Sequence, residues 1–500
     1  MGDDRPGAAS RDSGPAALTA LALWLLLTIG WRPLMLPDEG RYTEVAWEML
    51  RGDALVPTLF GVPFFHKPPL TYWINSLAMA VFGPHEAAAR AAPAIGGWLL
   101  GLGLWWEVTA RQGREVGPWA LAILATMPFF FLGAQYANHD MLVAGCITMS
   151  VVCARQLQRT PQRLAWCLGA WTAAAAGVLS KGLIGIVLPA LIVVPPLLWR
   201  RDWQALQRLL HPAGAVLFAA IALPWFVEMA RRFPGFLDYF VLEQHFRRYA
   251  SAHFNNPQPW WFYPPVMAAL ALPWTLWSWA AARRAWRGPA EAPAARADAL
   301  DHVWWLAVVV VFFSAPRSKL VGYGLPALAP LAALLASTVC ARPAWGRGCV
   351  AAGMALCLAL VLGIRLHAPN SHQDVGLELG RHWRPGEPVL FVEAPFFDVP
   401  FYARMTQPPR VWSDWDDPDL PRRDNWRKEL HDAARFGAPR AQVLVRTRDL
   451  PALLCGRAVV WIVAAADFRV PDAWGTAEPV LAGRHATLWK AAGSGGSFCP

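Results

Sequence analysis

The chain has 500 residues, of which 55% are hydrophobic and 16% are charged, and its mean hydropathy is +0.29. These values exclude a soluble protein of this length and predict a polytopic α-helical membrane protein. The formal net charge of +10 does not indicate nucleic-acid binding, because much of the basic excess is arginine placed between apolar segments.

Residues 1–14 are polar and rich in Gly, Ala and Asp, and we predict a disordered cytoplasmic tail. Apolar runs of transmembrane length follow, and they predict a membrane domain over residues 15–366 with about 11–13 helices. The runs that we identify are 15–36, 87–109, 117–136, 141–154, 164–180, 182–199, 212–230, 260–281, 302–315, 320–340 and 348–366.

Arginines recur in every second connection between these runs, for example at Arg111, Arg155 and Arg200. Connections rich in arginine are typically cytoplasmic. The alternate connections are then periplasmic, including a first loop over 37–86 and a long loop over 231–259. With the N-terminus also inside, an odd number of spans places the chain after about residue 367 on the periplasmic side.

The first loop begins with LPDEGRYTEVAWEML, which places Asp38 and Glu39 directly after the first span. The apolar spacing predicts an amphipathic helix on the membrane surface, which would hold both carboxylates at a fixed depth. A carboxylate held in this way can act as a general base or orient an acceptor. A solvated surface pair is the alternative. Arg41 and Tyr42 follow at once.

Lys67 lies in the sequence HKPP, between His66 and two prolines. Lysine is a compact charge suited to phosphate. Snorkelling towards lipid headgroups is the competing explanation, but nearly all other basic positions of this chain are arginine.

Asn138, His139 and Asp140 open the fourth span, and Lys181 lies between the fifth and sixth spans with almost no loop. A lysine between two closely spaced spans faces the bundle interior or a water-filled cavity, because lipid exposure is costly. Asp140 can balance its charge.

The long loop carries charged residues inside an aromatic framework, namely Glu243, His245, Arg247, Arg248 and His253. Arginines on the periplasmic side run against the usual charge distribution, and they indicate a bound anion. A basic amphipathic helix that holds lipid headgroups is the alternative.

Arg317, Lys319 and Tyr323 lie in SAPRSKLVGYGLPALAPLA, at another connection on the same side. Together, these connections bring several cations and carboxylates to one membrane level. That combination suits a lipid-linked phosphate with a reacting group beside it.

Residues 367–500 are more polar, and runs such as PVLFVE and AVVWIVAA between turn residues predict a small periplasmic α/β domain. Cys455 and Cys499 lie in this domain, where an oxidising compartment permits a disulfide. The sequence leaves their pairing open.

Five stretches resemble, in order, signature motifs of the bacterial polyprenyl-phosphate glycosyltransferases of the GT-C superfamily: LPDEGRYTEVAWEML, FFHKPPLTYW, LSKGLIG, EQHFRRY and SKLVGYGLPALAPLA. The likeness is greatest to the lipid A aminoarabinose transferases. It implies an inner-membrane enzyme that moves aminoarabinose, or another aminosugar or hexose, from undecaprenyl phosphate to a periplasmic acceptor such as a lipid A phosphate.

The resemblance implies that Asp38 is the catalytic carboxylate, with Glu39 beside it, and that Asp140 is a second acidic site. The cations expected at the donor phosphate are Lys67, Lys181, Arg247, Arg248, Arg317 and Lys319. The residues expected to line the substrate cavity are Arg41, Tyr42, His66, Glu243, His245, His253 and Tyr323.

The chain departs from the family at His66, where relatives commonly have glutamate. No cofactor is required by this reading, although a zinc ion held by His66, His245 and His253 stays open as a hypothesis. Two other functions also stay open: O-glycosylation of proteins or other glycans by the same superfamily, and transport of a lipid-linked anion. We find no inverted repeat, which argues against a transporter, and the charge in the membrane-facing loops argues against a non-catalytic assembly protein.

Overall fold

The computed structural model describes residues 14–247, 256–287, 293–367, 370–422, 424–437, 443–455 and 459–492. These residues form a bundle of apolar helices with a smaller α/β unit at one end. We call that end of the bundle the capped end. Residues 28–90 and 233–247 also lie at this end. Of the predicted N-terminal tail, residues 1–13 lie outside the described residues.

The bundle contains α-helices connected by short turns and two larger loops. The helices are α1 (Gly14–Leu27), α2 (Asp38–Arg51), α3 (Leu70–Phe82), α4 (Glu86–Ala89), α5 (Ala91–Gln112), α6 (Gly117–Ala125), α7 (Pro128–Gly133), α8 (Asp140–Arg159), α9 (Leu164–Lys181), α10 (Ile184–Trp199), α11 (Trp203–Leu209), α12 (Pro212–Arg232), a π-helix (Asp238–Arg247), α13 (Tyr263–Leu270), α14 (Ser278–Arg287), α15 (Pro293–Ser314), α16 (Leu328–Cys340) and α17 (Pro343–His367).

The predicted polytopic helical membrane fold is confirmed. Among the described residues, five helical segments are long and apolar enough to cross a membrane: Asp140–Arg159, Trp203–Arg232, Ala295–Ser314, Val321–Cys340 and Pro343–His367. Most other predicted runs form shorter or divided helices, whereas the run 87–109 forms α5, a continuous helix of 22 residues. The run 117–136, for example, is interrupted at Thr126 and Met127 before α7 starts with Pro128, because proline cannot continue a helix that needs its N–H.

The helix α8 is the centre of the bundle and packs against α5, α9 and α10. Glycines allow the closest approaches. A Cβ added to Gly145 of α8 would overlap the carbonyl oxygen of Gly96 in α5, and a Cβ on Gly185 of α10 would overlap the backbone of Gly177 in α9. Small residues at such crossings let backbones approach within a membrane.

Buried ion pairs connect the helices at the end opposite the capped end. Glu107 Oε1 of α5 lies 2.8 Å from Arg111 Nε and 2.9 Å from Arg155 Nε of α8, and His302 Nε2 of α15 lies 3.4 Å away. Arg155 also reaches Asp301 at 3.5 Å. The arginines that we interpreted as orientation signals therefore also hold helix ends together.

The first loop contains the two predicted helices, α2 and α3, joined by a hairpin of β1 (Thr58–Leu59) and β2 (Val62–Pro63). We expected α2 to lie flat on the membrane. Instead it is buried between the bundle and the α/β unit, where Trp47 Nε1 donates to Met405 O at 3.3 Å and Gly40 lies against Asp398.

The C-terminal unit is the predicted α/β fold. Its six-stranded sheet has the order β5-β4-β3-β6-β8-β7; β5 to β6 are parallel, and β8 and β7 are antiparallel. Cys455 is disulfide-bonded, while Cys499 lies outside the described residues. The elements are α18 (Gln373–His382), β3 (Val389–Val392), α19 (Val399–Tyr402), β4 (Arg410–Trp412), α20 (Trp426–Ala433), β5 (Leu444–Val445), α21 (Leu450–Leu454), β6 (Val460–Ala465), β7 (Ala477–Ala482) and β8 (Ala486–Ala491).

Candidate functional site

A carboxylate and an ammonium group meet where α8 begins and α9 ends. The ammonium of Lys181, the last residue of α9, pairs with Asp140 Oδ1 and lies 4.2 Å from the centre of the Tyr323 ring. Asn138 Nδ2 donates to Asp140 Oδ2 at 3.2 Å. A side chain at position 322 would overlap that carboxylate, so Gly322 makes room for the pair.

A second cluster lies at the start of α2. Arg41 Nη2 donates to Asp38 Oδ1 at 2.6 Å and lies 3.4 Å from the hydroxyl of Tyr42. The Asp38 side chain is 27% exposed, whereas that of Arg41 is 11% exposed. Solvent or a substrate can therefore reach the Asp38 carboxylate, while its partner Arg41 is largely buried and held in place.

His139 connects the two clusters. Its ring packs edge-on against Tyr42 at 4.5 Å and Tyr72 at 5.0 Å between centroids. Both ring nitrogens are buried, and neither has a hydrogen-bond partner in the described part of the chain. Burial, followed by the charges of Lys67, Lys181 and Arg41, lowers the pKa of His139 well below its usual value. The three cations therefore lie close enough to the ring to act on it electrostatically.

Glu39 does not belong to either cluster, although the sequence grouped it with Asp38. Its carboxylate pairs with Arg32, accepts Arg90 Nε at 2.8 Å and accepts the backbone N–H groups of Met35 and Ala137, both at 2.9 Å. Burial opposes its ionisation, but the charges and hydrogen bonds of the two arginines prevail and lower the pKa of Glu39 to about 2. We therefore assign Glu39 a structural role.

Lys319 and Arg317 also differ from the expectation. Lys319 is buried, and its ammonium donates to the carbonyls of Gln258, at 2.9 Å, and Pro316. The backbone continues this contact, since Gln258 N donates to Arg317 O at 3.0 Å. Arg317 is exposed. The geometry favours a role for Lys319 in joining two loops rather than in binding phosphate.

Residues Asp238–Arg247 of the long loop form the π-helix, in which Glu243 contacts the C-terminal unit. Glu243 Oε1 pairs with Lys428 Nζ of α20 at 3.0 Å, and its other oxygen lies 3.8 Å from Arg435. The remaining predicted residues of this loop fall outside the description: the side chains of His245 and Arg247, and the whole of Arg248 and His253.

Of the three histidines in the zinc hypothesis, only His66 has a described side chain. Within the described residues, no group of three or more metal-binding side chains occurs. The His66 ring stacks on Phe64, with 4.4 Å between centroids, and its Nδ1 lies 3.9 Å from Glu429 Oε1.

Glu429 is the site residue that sequence analysis missed. It lies on α20 of the C-terminal unit, and its Oε2 pairs with Arg41 Nη1. The sequence offers a helix signal here, since Asn425 caps α20 by accepting Lys428 N at 3.1 Å. It offers no signal that this helix would reach α2.

The chain is similar to several known proteins. Residues 66–227 match the protein family described as dolichyl-phosphate-mannose-protein mannosyltransferase. The chain is 32% identical over 335 residues to undecaprenyl phosphate-alpha-4-amino-4-deoxy-L-arabinose arabinosyl transferase 2 of Pseudomonas fluorescens, covering 66% of this chain and 56% of that protein. It is also 32% identical over 380 residues to the corresponding transferase of Pseudomonas paraeruginosa, covering 73% of this chain and 68% of that protein.

Among solved structures, the fold is similar to that of ArnT from Cupriavidus metallidurans bound to undecaprenyl phosphate. The TM-score is 0.80 at 22% identity, over 98% of this chain and 100% of that one. At this identity the match shows the fold. The chain spans 56% and 57% of the length of the first two curated relatives that it matches.

Proposed function

Because the chain belongs to the polyprenyl-phosphate glycosyltransferases of the GT-C superfamily that include the undecaprenyl phosphate aminoarabinose transferases, we propose that it transfers a sugar from undecaprenyl phosphate. The sugar is 4-amino-4-deoxy-L-arabinose or another aminosugar or hexose, and the acceptor is an envelope molecule such as a lipid A phosphate. In this proposal the protein is a multi-pass protein of the inner membrane, and the capped end faces the periplasm. The arginines at the opposite end support that orientation.

The observation that carries the proposal is the convergence of charge at the capped end. Lys67, Lys181 and Arg41 all act on the ring of His139, and the carboxylates of Asp38 and Asp140 pair with two of these cations. Fixed cations beside a membrane suit a lipid-linked phosphate, and a reachable carboxylate suits an acceptor.

In the proposed reaction, the bond between the sugar C1 and the phosphate oxygen breaks, and its electron pair leaves with undecaprenyl phosphate. A bond forms between C1 and the acceptor oxygen. Lys67 and Lys181 stabilise the charge on the departing phosphate. Asp38 orients an acceptor that is already anionic, or takes the proton of a hydroxyl acceptor.

Two substitutions test this proposal. We expect Asp38→Asn and Lys67→Ala each to reduce sugar transfer by roughly 100-fold or more, measured with purified protein, undecaprenyl-phosphate-linked aminoarabinose and lipid A. Asp53→Asn is the control, because Asp53 forms an exposed pair with Arg232. Full activity of both site variants at normal membrane levels would refute the roles of these residues.

The family match to protein mannosyltransferases favours one second candidate, a protein acceptor. Mass spectrometry of lipid A and of envelope proteins from a deletion strain separates the two. We expect the aminosugar to disappear from lipid A, and a loss confined to glycosylated proteins would identify the second candidate instead.

A further inference from the structure

We propose that Glu429, on the C-terminal α/β unit, is a positioning residue of the transferase site: it holds Arg41 so that Asp38 keeps one carboxylate oxygen for the acceptor. This inference rests on the proposed function and extends it, because it makes the C-terminal unit a contributor to the reaction rather than an appended domain.

The Arg41 guanidinium binds two carboxylates at once. Nη1 pairs with Glu429 Oε2, and Nη2 donates to Asp38 Oδ1 at 2.6 Å. Arginine otherwise prefers to bind one carboxylate through two parallel hydrogen bonds. Glu429 occupies one branch of this fork, so only one oxygen of Asp38 is engaged, and Oδ2 has no partner in the described part of the chain.

Both partners of the Arg41–Glu429 pair are largely buried. The side chains of Arg41 and Glu429 are 11% and 15% exposed, so their pairing is screened far less than that of a surface ion pair. The Arg41 guanidinium also packs 4.9 Å from the centre of the Tyr42 ring and 5.9 Å from that of Phe397. Its position is therefore determined from both the bundle and the C-terminal unit.

The segment with α20 is itself held at this position by contacts with the π-helix and the first loop. Lys428 pairs with Glu243 of the π-helix at 3.0 Å, and Arg435 lies 5.7 Å from the centre of the Tyr239 ring. Phe436 packs against Phe65 of the first loop, with 5.2 Å between centroids. Contacts of Lys428, next to Glu429, and of the residues just after α20 thus bring the Glu429 carboxylate to Arg41 and place its Oε1 3.9 Å from His66 Nδ1.

Loss of the Glu429 charge has a specific consequence. The freed branch of Arg41 becomes available to the second oxygen of Asp38, and this closes the carboxylate to an acceptor. The ion pair of Lys181 with Asp140 does not involve Glu429. The reaction step should therefore slow while binding of the lipid-linked donor persists.

The test is steady-state kinetics of the full-length protein in lipid nanodiscs, with undecaprenyl-phosphate-linked aminoarabinose as donor probe and lipid A as acceptor. We expect Glu429→Gln to lower kcat about tenfold or more and to change the donor KM by less than about twofold. Glu429→Asp keeps the charge and should fall between this variant and the wild type. Glu378→Gln, which changes a carboxylate of the same unit paired with Arg381 and His382, should leave both constants unchanged.

A double-mutant cycle distinguishes positioning from a general effect on folding. In an Arg41→Gln background, Glu429→Gln should have little further effect on kcat, because both substitutions act on the same guanidinium. An equal loss in both backgrounds would overturn the inference, and so would an unchanged kcat in Glu429→Gln. A wild-type protein without transfer activity would instead overturn the proposed function.

Discussion

Two adjacent carboxylates at the start of α2 have opposite environments. Successive residues of a helix point about 100° apart, so Asp38 faces Arg41 on the partly exposed side while Glu39 faces the bundle. Asp38 stays partly exposed and pairs with Arg41, whereas Glu39 is fully buried between Arg32 and Arg90. The pair Asp-Glu thus combines the carboxylate of the proposed reaction with a structural anchor.

The anchor leads to a stability prediction. Glu39→Gln leaves the guanidiniums of Arg32 and Arg90 buried without a counter-charge, and breaking such a pair costs about 3–5 kcal/mol. We expect a lower melting temperature for this variant in detergent at pH 7. Asp53→Asn, at an exposed pair with Arg232, should change the free energy of unfolding by less than about 1 kcal/mol.

The same contact has a defined pH dependence. The pKa of Glu39 is lowered from 4.5 in the free side chain to about 2 in the folded protein. Its contribution to stability is therefore fully present above pH 4.5 and is lost as the pH falls towards 2. The difference in melting temperature between wild type and Glu39→Gln should narrow across this interval; a constant difference would contradict the buried pair.

At the scale of elements, the spacing of the central helices depends on glycine. We expect Gly145→Ala to destabilise the protein by about 1–3 kcal/mol, because the added methyl group would overlap Gly96 O and force α8 away from α5. Gly363→Ala in α17 is the matched control, since no atom lies within 4 Å of its added Cβ. Thermal unfolding in detergent measures both; equal stability of the two variants would show that the helices can separate freely.

The sequence predicted those elements whose signals are local. Apolar runs, the two first-loop helices and the α/β unit were all predictable, because periodicity and turn residues act over a few positions. The association of α20 with α2 and with the π-helix was not. It depends on the pairs Arg41–Glu429, 388 positions apart, and Glu243–Lys428, 185 positions apart, and no local pattern specifies a partner at such a distance.

Within the site, the same limit applied. The motif resemblance identified Asp38, Lys67, Asp140 and Lys181 as functional candidates, and the structure brings Asp140 and Lys181 into contact. It could not separate Glu39 from Asp38, because the direction of each side chain depends on where the helix packs.

At the scale of the whole molecule, the bundle and the C-terminal unit share an interface of charged pairs. We expect Lys428→Glu to weaken it, because the new carboxylate would lie beside Glu243 and Asp432. Hydrogen exchange should then increase in peptides that cover α20 and the π-helix. Lys490→Glu on the exposed side of β8 should change exchange only locally, and unchanged protection of α20 in Lys428→Glu would refute this interface.

Arg41 pairs both with Asp38 and with Glu429 of the C-terminal unit, and this has a consequence for biosynthesis. Ribosomes make the membrane helices before the segment that carries Glu429. On the proposed function, a nascent bundle would already hold its cations at the membrane, while both oxygens of Asp38 would be bound by Arg41. Reactivity would then begin only after the α/β unit has been exported and folded, so an incomplete molecule would not lose its activated sugar to water.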